Sequence, residues 1–438
     1  MKARELAFTA LLKMDRAGSY SNLTLDAVLE GEAPWEADRR LASQLFYGVL
    51  ERKLTLDYAL SRYLKQKPEK LDPEVRIAME LGAYQLLYLS GIPQSAAVNE
   101  SVNLVKRSKK RSAAGFVNGV LRSFLRDGCR IILPEGDWTA RASVETGMPP
   151  EILRLWERDY SRDMAVKLAE NCLGRPPLHF RVNPLRASVQ EAAESLMADG
   201  AKVTVHETIP NCLEVSHTGS VAGLKAFQQG LAAVQDSASQ LCALAVGAKP
   251  GERVFDLCAA PGSKSFVMAQ EMKNQGEILA FDLYESRAGL IRQGAERLGL
   301  TIIQAKSGDA AQYDSSIGMA DRVLCDVPCS GLGIIRRKPE IRWKSAEEIA
   351  ALPPIQRAIL ENAARYVKPG GILVYSTCSL HRAENEEVIQ WFLERHPEIE
   401  PAPFEGTAAS ICGNGDWQAT LTPMDGFDGF FIARMRRR

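Results

Sequence analysis

The sequence predicts a multidomain chain: an all-α helical bundle, then a small α/β segment, then a doubly wound, Rossmann-like α/β domain. Three observations carry this. At 438 residues the chain has room for about three domains. Apolar residues recur at helical spacing from the start to about residue 130. From Gly251 onward, short apolar runs alternate with helical stretches, the pattern of a parallel sheet covered by helices.

Composition excludes several classes. With 46% hydrophobic and 25% charged residues the chain is an ordinary globular protein, not a disordered one. No apolar run is long enough to span a bilayer, and MKARELAFTALLK is amphipathic without a signal-peptide cleavage region. Nine scattered cysteines, an odd number, suit a reducing cytoplasm better than a disulfide framework. The expected location is cytoplasmic, the expected state a monomer, and neither membrane nor metal is expected as a partner. The formal net charge is zero, so only local charge bears on nucleic acid.

In the front region the apolar positions are Ala7, Leu11 and Met14; Leu41, Leu45 and Val49; Ile77, Leu81, Tyr84 and Tyr88; Val98, Val102 and Val105. Pro34, Pro68, Pro73 and Pro93 punctuate them. Lys106 to Arg130 holds eight basic residues and one acidic one, beginning KRSKKR and continuing into GFVNGVLRSFLR. A basic cluster leading a helix is a footprint for a phosphate backbone; a charge run is also the ordinary solvated face of a helix. LFYGVL (Leu45–Leu50), ELGAYQLLYL (Glu80–Leu89), VNESVNLVK (Val98–Lys106) and GFVNGVLR (Gly115–Arg122) together resemble NusB, an RNA-binding antitermination family. That resemblance implies an RNA-binding helical domain over residues 1–130.

Pro134, Gly136, Gly147, Pro149 and Pro150 predict a linker over 131–150. A small α/β subdomain, expected to contact RNA, follows over 151–235. MPPEILRLWERDY starts a helix with proline at its beginning. A strand over Leu178–Leu185, a helix over Val189–Met197 and a strand over Lys202–Val205 complete it.

The last domain is expected over 236–438. Its strands are predicted over Arg253–Leu257, Gly276–Leu283, Thr301–Ala310, Asp321–Ser330 and Gly370–Leu380, with helices over Ala288–Leu298, Pro354–Val367 and Glu384–Glu394. GFDGFFIARM predicts a final, antiparallel strand. Ligands of such a sheet gather at the carboxyl ends of its strands.

VFDLCAAPGSKS (Val254–Ser265) joins the first strand to a helix. Ala259, Ala260, Pro261 and Gly262 let backbone approach a ligand, and the helix N-terminus behind them favours an anion. Ser263 separates Gly262 from Lys264, so the Walker spacing is broken, and G-x-G-x-x-G is absent. What remains resembles the methyltransferase form of the turn, whose helix faces the carboxylate of S-adenosylmethionine. Cys258, Ala259, Ala260, Pro261, Gly262, Ser263 and Lys264 are then the cofactor cradle, in which Cys258 contributes backbone. Asp282 closes the second strand where ribose hydroxyls would lie, and Asp309 follows the third where the adenine amino group would lie. Either aspartate could instead cap the next helix.

Two cysteines stand at strand exits: Cys329 in DVPCSGLG and Cys378 in YSTCSL. The commonest fate of a lone cysteine is a buried structural one, assigned here to Cys129, Cys172, Cys212, Cys242, Cys325 and Cys412. Cys325 and Cys329 lack a second ligand pair at zinc-finger spacing. Neither H-E-x-x-H nor G-x-S-x-G occurs, and five histidines leave little for a histidine-activated nucleophile.

CAAPGSKS, DVPCSGLG and YSTCS together resemble the RNA cytosine-5 methyltransferases. With the NusB-like front, the chain resembles the bacterial branch that acts on 16S rRNA. Serine at 263 departs from the usual second glycine of the turn; it costs backbone freedom and adds a hydroxyl. QDSASQ (Gln235–Gln240) resembles the lead-in to that domain, and RRKPEIRW (Arg336–Trp343) has the basic and aromatic residues that suit an RNA strand. The resemblance implies Cys378 as the nucleophile that adds to carbon 6 of cytosine, and Cys329 near product release. It implies Asp326 on the base and at the cofactor, with Lys264 orienting Asp326 or the substrate. In the DNA enzymes the nucleophile sits in a Pro-Cys pair, so Pro328-Cys329 leaves the reversed assignment open. A tRNA substrate, and a non-catalytic RNA-binding assembly factor, are the rival functions; the NusB-like front argues against the first and the retained cysteines against the second.

Overall fold

The computed structural model describes residues 2–17, 21–32 and 35–438. It divides into two compact units, one running to Arg175 and including Ile335–Lys344, the other comprising Pro176–Ile334 and Ser345–Arg438.

The first unit is helical. Helices α1 (Ala3–Ala17), α2 (Ser21–Glu32), α3 (Glu36–Ser61), α4 (Pro73–Tyr88), α5 (Gln94–Arg107) and α6 (Ala114–Arg126) bury their apolar stripes in one core, with Leu6, Phe46, Leu56, Leu81, Val105 and Phe124 at its centre. The prolines act at helix starts, where a missing N–H costs nothing. Pro73 is the first residue of α4, whose Asp72 cap accepts from the Glu74 N–H at 3.1 Å, and Pro93 precedes α5. Pro34 lies outside the described residues. On the basic stretch Arg107 pairs with Glu5, and Lys110 pairs with Asp72 at 2.8 Å. Lys106, Lys109 and Arg111 are exposed.

Residues 131–150 differ from the expected linker, because they contain α7 (Trp138–Thr146). Asp137 caps it, accepting from the Thr139 N–H at 2.9 Å, and Gly147 ends it in the left-handed region at φ 69°. A Cβ on Gly147 would lie 2.2 Å from the Glu51 carbonyl oxygen. Gly147, which composition alone assigns to a linker, is a helix C-cap. Helices α8 (Pro150–Asp159) and α9 (Arg162–Asn171) follow in this unit.

Arg342, expected to face RNA, is instead 1% exposed. Its guanidinium donates to the carbonyls of Glu51 and Gly147, the latter at 3.2 Å. Trp343 remains 41% exposed, with Lys53 Nζ 5.3 Å from its ring centre.

The second unit begins with a small sheet: β1 (Leu178–Val182), α10 (Val189–Ala198), β2 (Lys202–Val205), β3 (Cys212–Ser216), α11 (Lys225–Gln228) and β4 (Ala232–Val234). Its order is β2-β3-β1-β4 and every pairing is antiparallel. β3 and β4 are additional to the predicted strands; in β3 only Leu213–Ser216 alternate between buried and exposed. Arg181, 1% exposed, donates to Gln270 Oε1 at 3.0 Å and pairs with Glu271 at 2.8 Å. Asn183 Nδ2 donates to the Leu298 carbonyl at 2.9 Å. These bonds tie the small sheet to the domain that follows.

That domain comprises α12 (Ser237–Val246), β5 (Arg253–Asp256), α13 (Ser263–Glu271), β6 (Glu277–Asp282), α14 (Glu285–Leu298), β7 (Ile303–Ser307), β8 (Ala320–Asp326), α15 (Ala346–Ala350), α16 (Leu352–Tyr366), β9 (Val367–Thr377), α17 (Glu386–Leu393), β10 (Ile399–Pro401), α18 (Gly406–Cys412), β11 (Gln418–Leu421) and β12 (Phe430–Arg437). The sheet order is β10-β12-β9-β8-β5-β6-β7, with β11 on β12. β9, β8, β5, β6 and β7 are mutually parallel, and β12 runs antiparallel to β9. Alternate residues feed cores on the two faces: Val254, Ile278 and Leu324 with Val267 and Ile291 on one, Phe255, Leu279 and Val323 with Leu360 on the other. The chain order reverses between β5 and β8, so a crevice opens above the carboxyl ends of these two strands.

Two glycines let the loops above this edge touch. Gly333 N–H donates to the Cys378 carbonyl at 3.0 Å, and Gly429 N–H donates to the Gly333 carbonyl at 2.8 Å. A Cβ on Gly333 would lie 2.0 Å from the Gly429 oxygen. Gly333→Ala should therefore cost about 2–4 kcal/mol in urea unfolding, whereas Gly223→Ala should stay within about 0.5 kcal/mol, since a Cβ there meets nothing within 4 Å.

Candidate active site at the carboxyl edge of the sheet

The turn between β5 and α13 carries Cys258, Ala259, Ala260, Pro261 and Gly262, with Ser263 and Lys264 in the first turn of the helix. Ala259 N–H donates to the Phe281 carbonyl at 2.7 Å and Gly262 N–H to the Ala259 carbonyl at 2.7 Å, which closes the turn. Gly262 has φ 106°, and a Cβ there would meet Phe266 Cζ at 2.5 Å. No side chain caps α13, so its first N–H groups have no intrahelical acceptor and face out of the helix end.

Asp282 ends β6 and is 5% exposed. Its Oδ1 accepts from the Tyr284 N–H at 3.3 Å, and Arg287 Nη1 lies 3.6 Å from its Oδ2. Asp309 lies two residues beyond β7 and is exposed. It accepts from the Ala311 N–H and from Gln312 Nε2, each at 3.0 Å. It also lines a cavity of about 340 Å³ with Leu257, Phe281, Gly308, Tyr313 and Tyr366.

Asp326 ends β8 and binds two neighbouring elements. Its Oδ2 accepts from Lys264 Nζ at 2.6 Å and its Oδ1 from Ser376 Oγ at 2.8 Å. Burial works against charge on Lys264, but the Asp326 carboxylate outweighs it and holds the ammonium above the usual lysine range. Lys264 also lies 5.3 Å from the centre of the Phe430 ring.

Cys329 and Cys378 leave β8 and β9 side by side, with their Sγ atoms 3.3 Å apart. The hydrogen bond to Cys378, together with burial, holds the Cys329 thiol well above the ordinary thiol range. Two sulfurs this close do not both ionise readily. The structure thus brings Lys264, Asp326, Cys329 and Cys378 to one edge, with Asp282 and Asp309 along it.

Of the six cysteines read as structural, Cys172, Cys212, Cys242 and Cys325 are buried, while Cys129 and Cys412 are half-buried. Burial raises the thiols of Cys212 and Cys242 to about 12 and that of Cys412 to about 11. Among the described residues no group of three or more His, Cys, Asp or Glu could hold a metal ion, and no helix is long and apolar enough to cross a membrane. Sequence reasoning missed Ser376, Ser330, Glu384 and Asn385. Their only signal was a position beside the cysteine motifs, and Glu384 was absorbed into a predicted helix.

The family described as 16S rRNA methyltransferase RsmB/F matches residues 243–436, the NusB family 1–126, and the RsmF/B-like ferredoxin-like domain 148–222. The probable ribosomal RNA small subunit methyltransferase B of Bacillus subtilis (strain 168) is 38% identical over 99% of this chain and 98% of that protein. The chain belongs to the ribosomal RNA small subunit methyltransferase B family. The Vibrio cholerae member is 32% identical over 100% of this chain and 98% of its own. The crystal structure of PH0851 is similar over 99% of both chains, with 27% identity and a TM-score of 0.84. A methyltransferase homolog protein from Pyrococcus horikoshii is 28% identical with a TM-score of 0.59, over 69% of this chain and 100% of that one.

The family's methyl donor is S-adenosylmethionine, and the residues of this edge fit it. The uncapped start of α13 suits a carboxylate, and the cavity beside Asp309 has room and aromatic walls.

Asp256, below the turn, is fully buried; its Oδ2 accepts from Ser265 Oγ at 2.6 Å. Burial pushes its carboxyl up to about 7. Its unfolded value is about 3.9. Below that value both states hold the proton; as pH rises toward 7 the unfolded chain loses it first, so this group's contribution to stability falls. Asp256→Asn, neutral at every pH, should match the parent near pH 4 and exceed it by about 2–4 kcal/mol near pH 8. Denaturation at both pH values checks this.

Proposed function

We propose that this rRNA methyltransferase methylates carbon 5 of a cytosine in 16S rRNA through a covalent bond from Cys378 to carbon 6. The observation that carries the reading is the paired thiols, 3.3 Å apart, beside Asp326. Carbon 5 of cytosine is a poor nucleophile. Addition of the Cys378 thiolate to carbon 6 makes it enamine-like. S-adenosylmethionine supplies the methyl group as a sulfonium. A base must then take the carbon-5 proton; the electron pair restores the 5,6 double bond and expels Cys378 as thiolate. We assign that base to Cys329: once Cys378 is bonded to carbon 6 it no longer opposes charge on its neighbour, so the Cys329 thiol can lose its proton to solvent and then take the carbon-5 proton as thiolate. The resemblance of the YSTCS motif to that of the RNA cytosine-5 methyltransferases favours Cys378 as the nucleophile of the pair.

Asp326, held by Lys264 and Ser376, suits a role on the cytosine ring nitrogen, stabilising charge as the thiolate adds. Asp282 and Asp309 suit ribose and adenine, and Cys258–Lys264 the methionine end. The target base has to leave its stack to reach the sulfurs. The exposed Lys106, Lys109 and Arg111 favour the NusB-like region as an RNA contact.

The cysteines should fail differently. Cys378→Ala should abolish methylation. Cys329→Ala should permit attack and methyl transfer but hold the methylated RNA as a covalent complex, seen on a denaturing gel. An adduct with Cys378→Ala and none with Cys329→Ala would reverse the two roles. Methylation retained in both, without an adduct, would exclude a thiolate mechanism.

The RNA contact is tested by salt dependence. Replacing Lys106, Lys109 and Arg111 together with Gln should flatten the slope of log affinity against log salt by about 2, at about 0.7 for each phosphate of single-stranded RNA that is no longer neutralised. An unchanged slope would remove this face from the interface.

A further inference from the structure

Glu384 is fully buried just after the second cysteine motif, in a short 3-10 turn (Arg382–Glu384) before α17. Its Oε1 accepts from the Ser330 N–H at 2.8 Å and from Gln356 Nε2 at 3.2 Å, and its Oε2 accepts from Ser330 Oγ at 2.6 Å. Ser330 follows Cys329. Gln356 Nε2 also donates to the carbonyl of Pro328, which precedes Cys329, at 3.0 Å. One carboxylate therefore holds both chain neighbours of Cys329, directly and through one amide.

The adjacent Asn385 does the same for Cys378. Its Oδ1 accepts from Thr377 Oγ1 at 2.6 Å, and its Nδ2 donates to the Ser379 carbonyl at 2.9 Å. The two grips meet where Ser330 Oγ and Ser379 Oγ lie 2.9 Å apart. Tyr375 OH donates to the Glu384 carbonyl at 2.5 Å, which fastens the turn to β9. Burying a carboxylate is costly unless its lone pairs are met. Here the bonds that meet them run to the cysteine loops or to Gln356, which holds one of those loops.

We propose that Glu384 is a positioning residue that sets Cys329 against Cys378, so that the sulfur needed as base in the elimination stays over the adduct formed by its neighbour. The inference rests on the two-cysteine reading above. Glu384 does not touch the cofactor turn, so its loss acts on release of the product and not on cofactor binding.

The test uses the full chain, a 16S rRNA fragment and S-adenosylmethionine, with Cys329→Ala as reference. Glu384→Ala should lower kcat at least tenfold, leave KM for S-adenosylmethionine unchanged, and accumulate the covalent RNA complex that Cys329→Ala accumulates. Glu384→Gln, which keeps one acceptor oxygen, should recover part of kcat and show less adduct. If Glu384→Ala does not fold, Glu384→Gln against the parent decides by the same two readouts. Parental kcat and adduct levels in the folded variants would overturn the proposal. So would a kcat that falls only in proportion to the fraction of folded protein, with no adduct. If Cys329→Ala itself traps no RNA, the two-cysteine reading is overturned, and the positioning role with it.

Discussion

The Asp326 carboxylate is the constraint on which this edge depends. It joins the start of α13, the end of β8 and the end of β9 through Lys264 and Ser376. Lys264 is 8% exposed, so its charge is tolerable only while the partner is in place. The ion pair therefore couples the turn before α13 to the strand ends that carry the thiols. A displacement of either would leave a buried charge unpaired, at a cost of several kcal/mol. That coupling suits the proposed reaction, in which the methyl donor and the thiolate act on adjacent carbons of one ring.

The parallel register supplies the rest of the alignment. β8 and β9 pair so that Cys325 lies opposite Tyr375 and Asp326 opposite Ser376. The Val327 N–H continues the ladder to the Ser376 carbonyl at 3.1 Å. Cys329 and Cys378 follow at nearly equal distances beyond that last pair, so the sheet delivers two sulfurs to one place without a dedicated scaffold. Strand pairing provides this because both chains leave in the same direction. What the ladder cannot set is the last few tenths of an ångström between the sulfurs. That lies with the polar contacts of the loops, Glu384 and Asn385 above all.

The front unit follows a different logic. Its core is a conventional packing of amphipathic stripes, and its basic residues divide by partner. Arg107 and Lys110 are engaged by carboxylates of the unit, whereas Lys106, Lys109 and Arg111 are exposed. Arg342 marks the limit of reading charge as interface. A guanidinium in a basic, aromatic stretch is a reasonable RNA contact until the carbonyls of Glu51 and Gly147 are found around it.

Local signals in the sequence determined the three-part order, the long helices, the parallel strands and the motifs CAAPGSKS, PCS and TCS. Each of these is written within a few residues, by apolar period, small-residue turns and strand-end polar residues. The short strands β3, β4, β10 and β11 were not legible, although β2 and β5, of similar length, were. The helix α7 was masked by the glycines and prolines that flank it. The tertiary structure alone decided which polar side chains meet: Arg342 with Glu51, Lys264 with Asp326, Glu384 with Ser330. Those partners are 291, 62 and 54 residues apart in the chain. A buried polar group takes whichever partner the packing presents, and no local preference for helix, strand or turn encodes that choice.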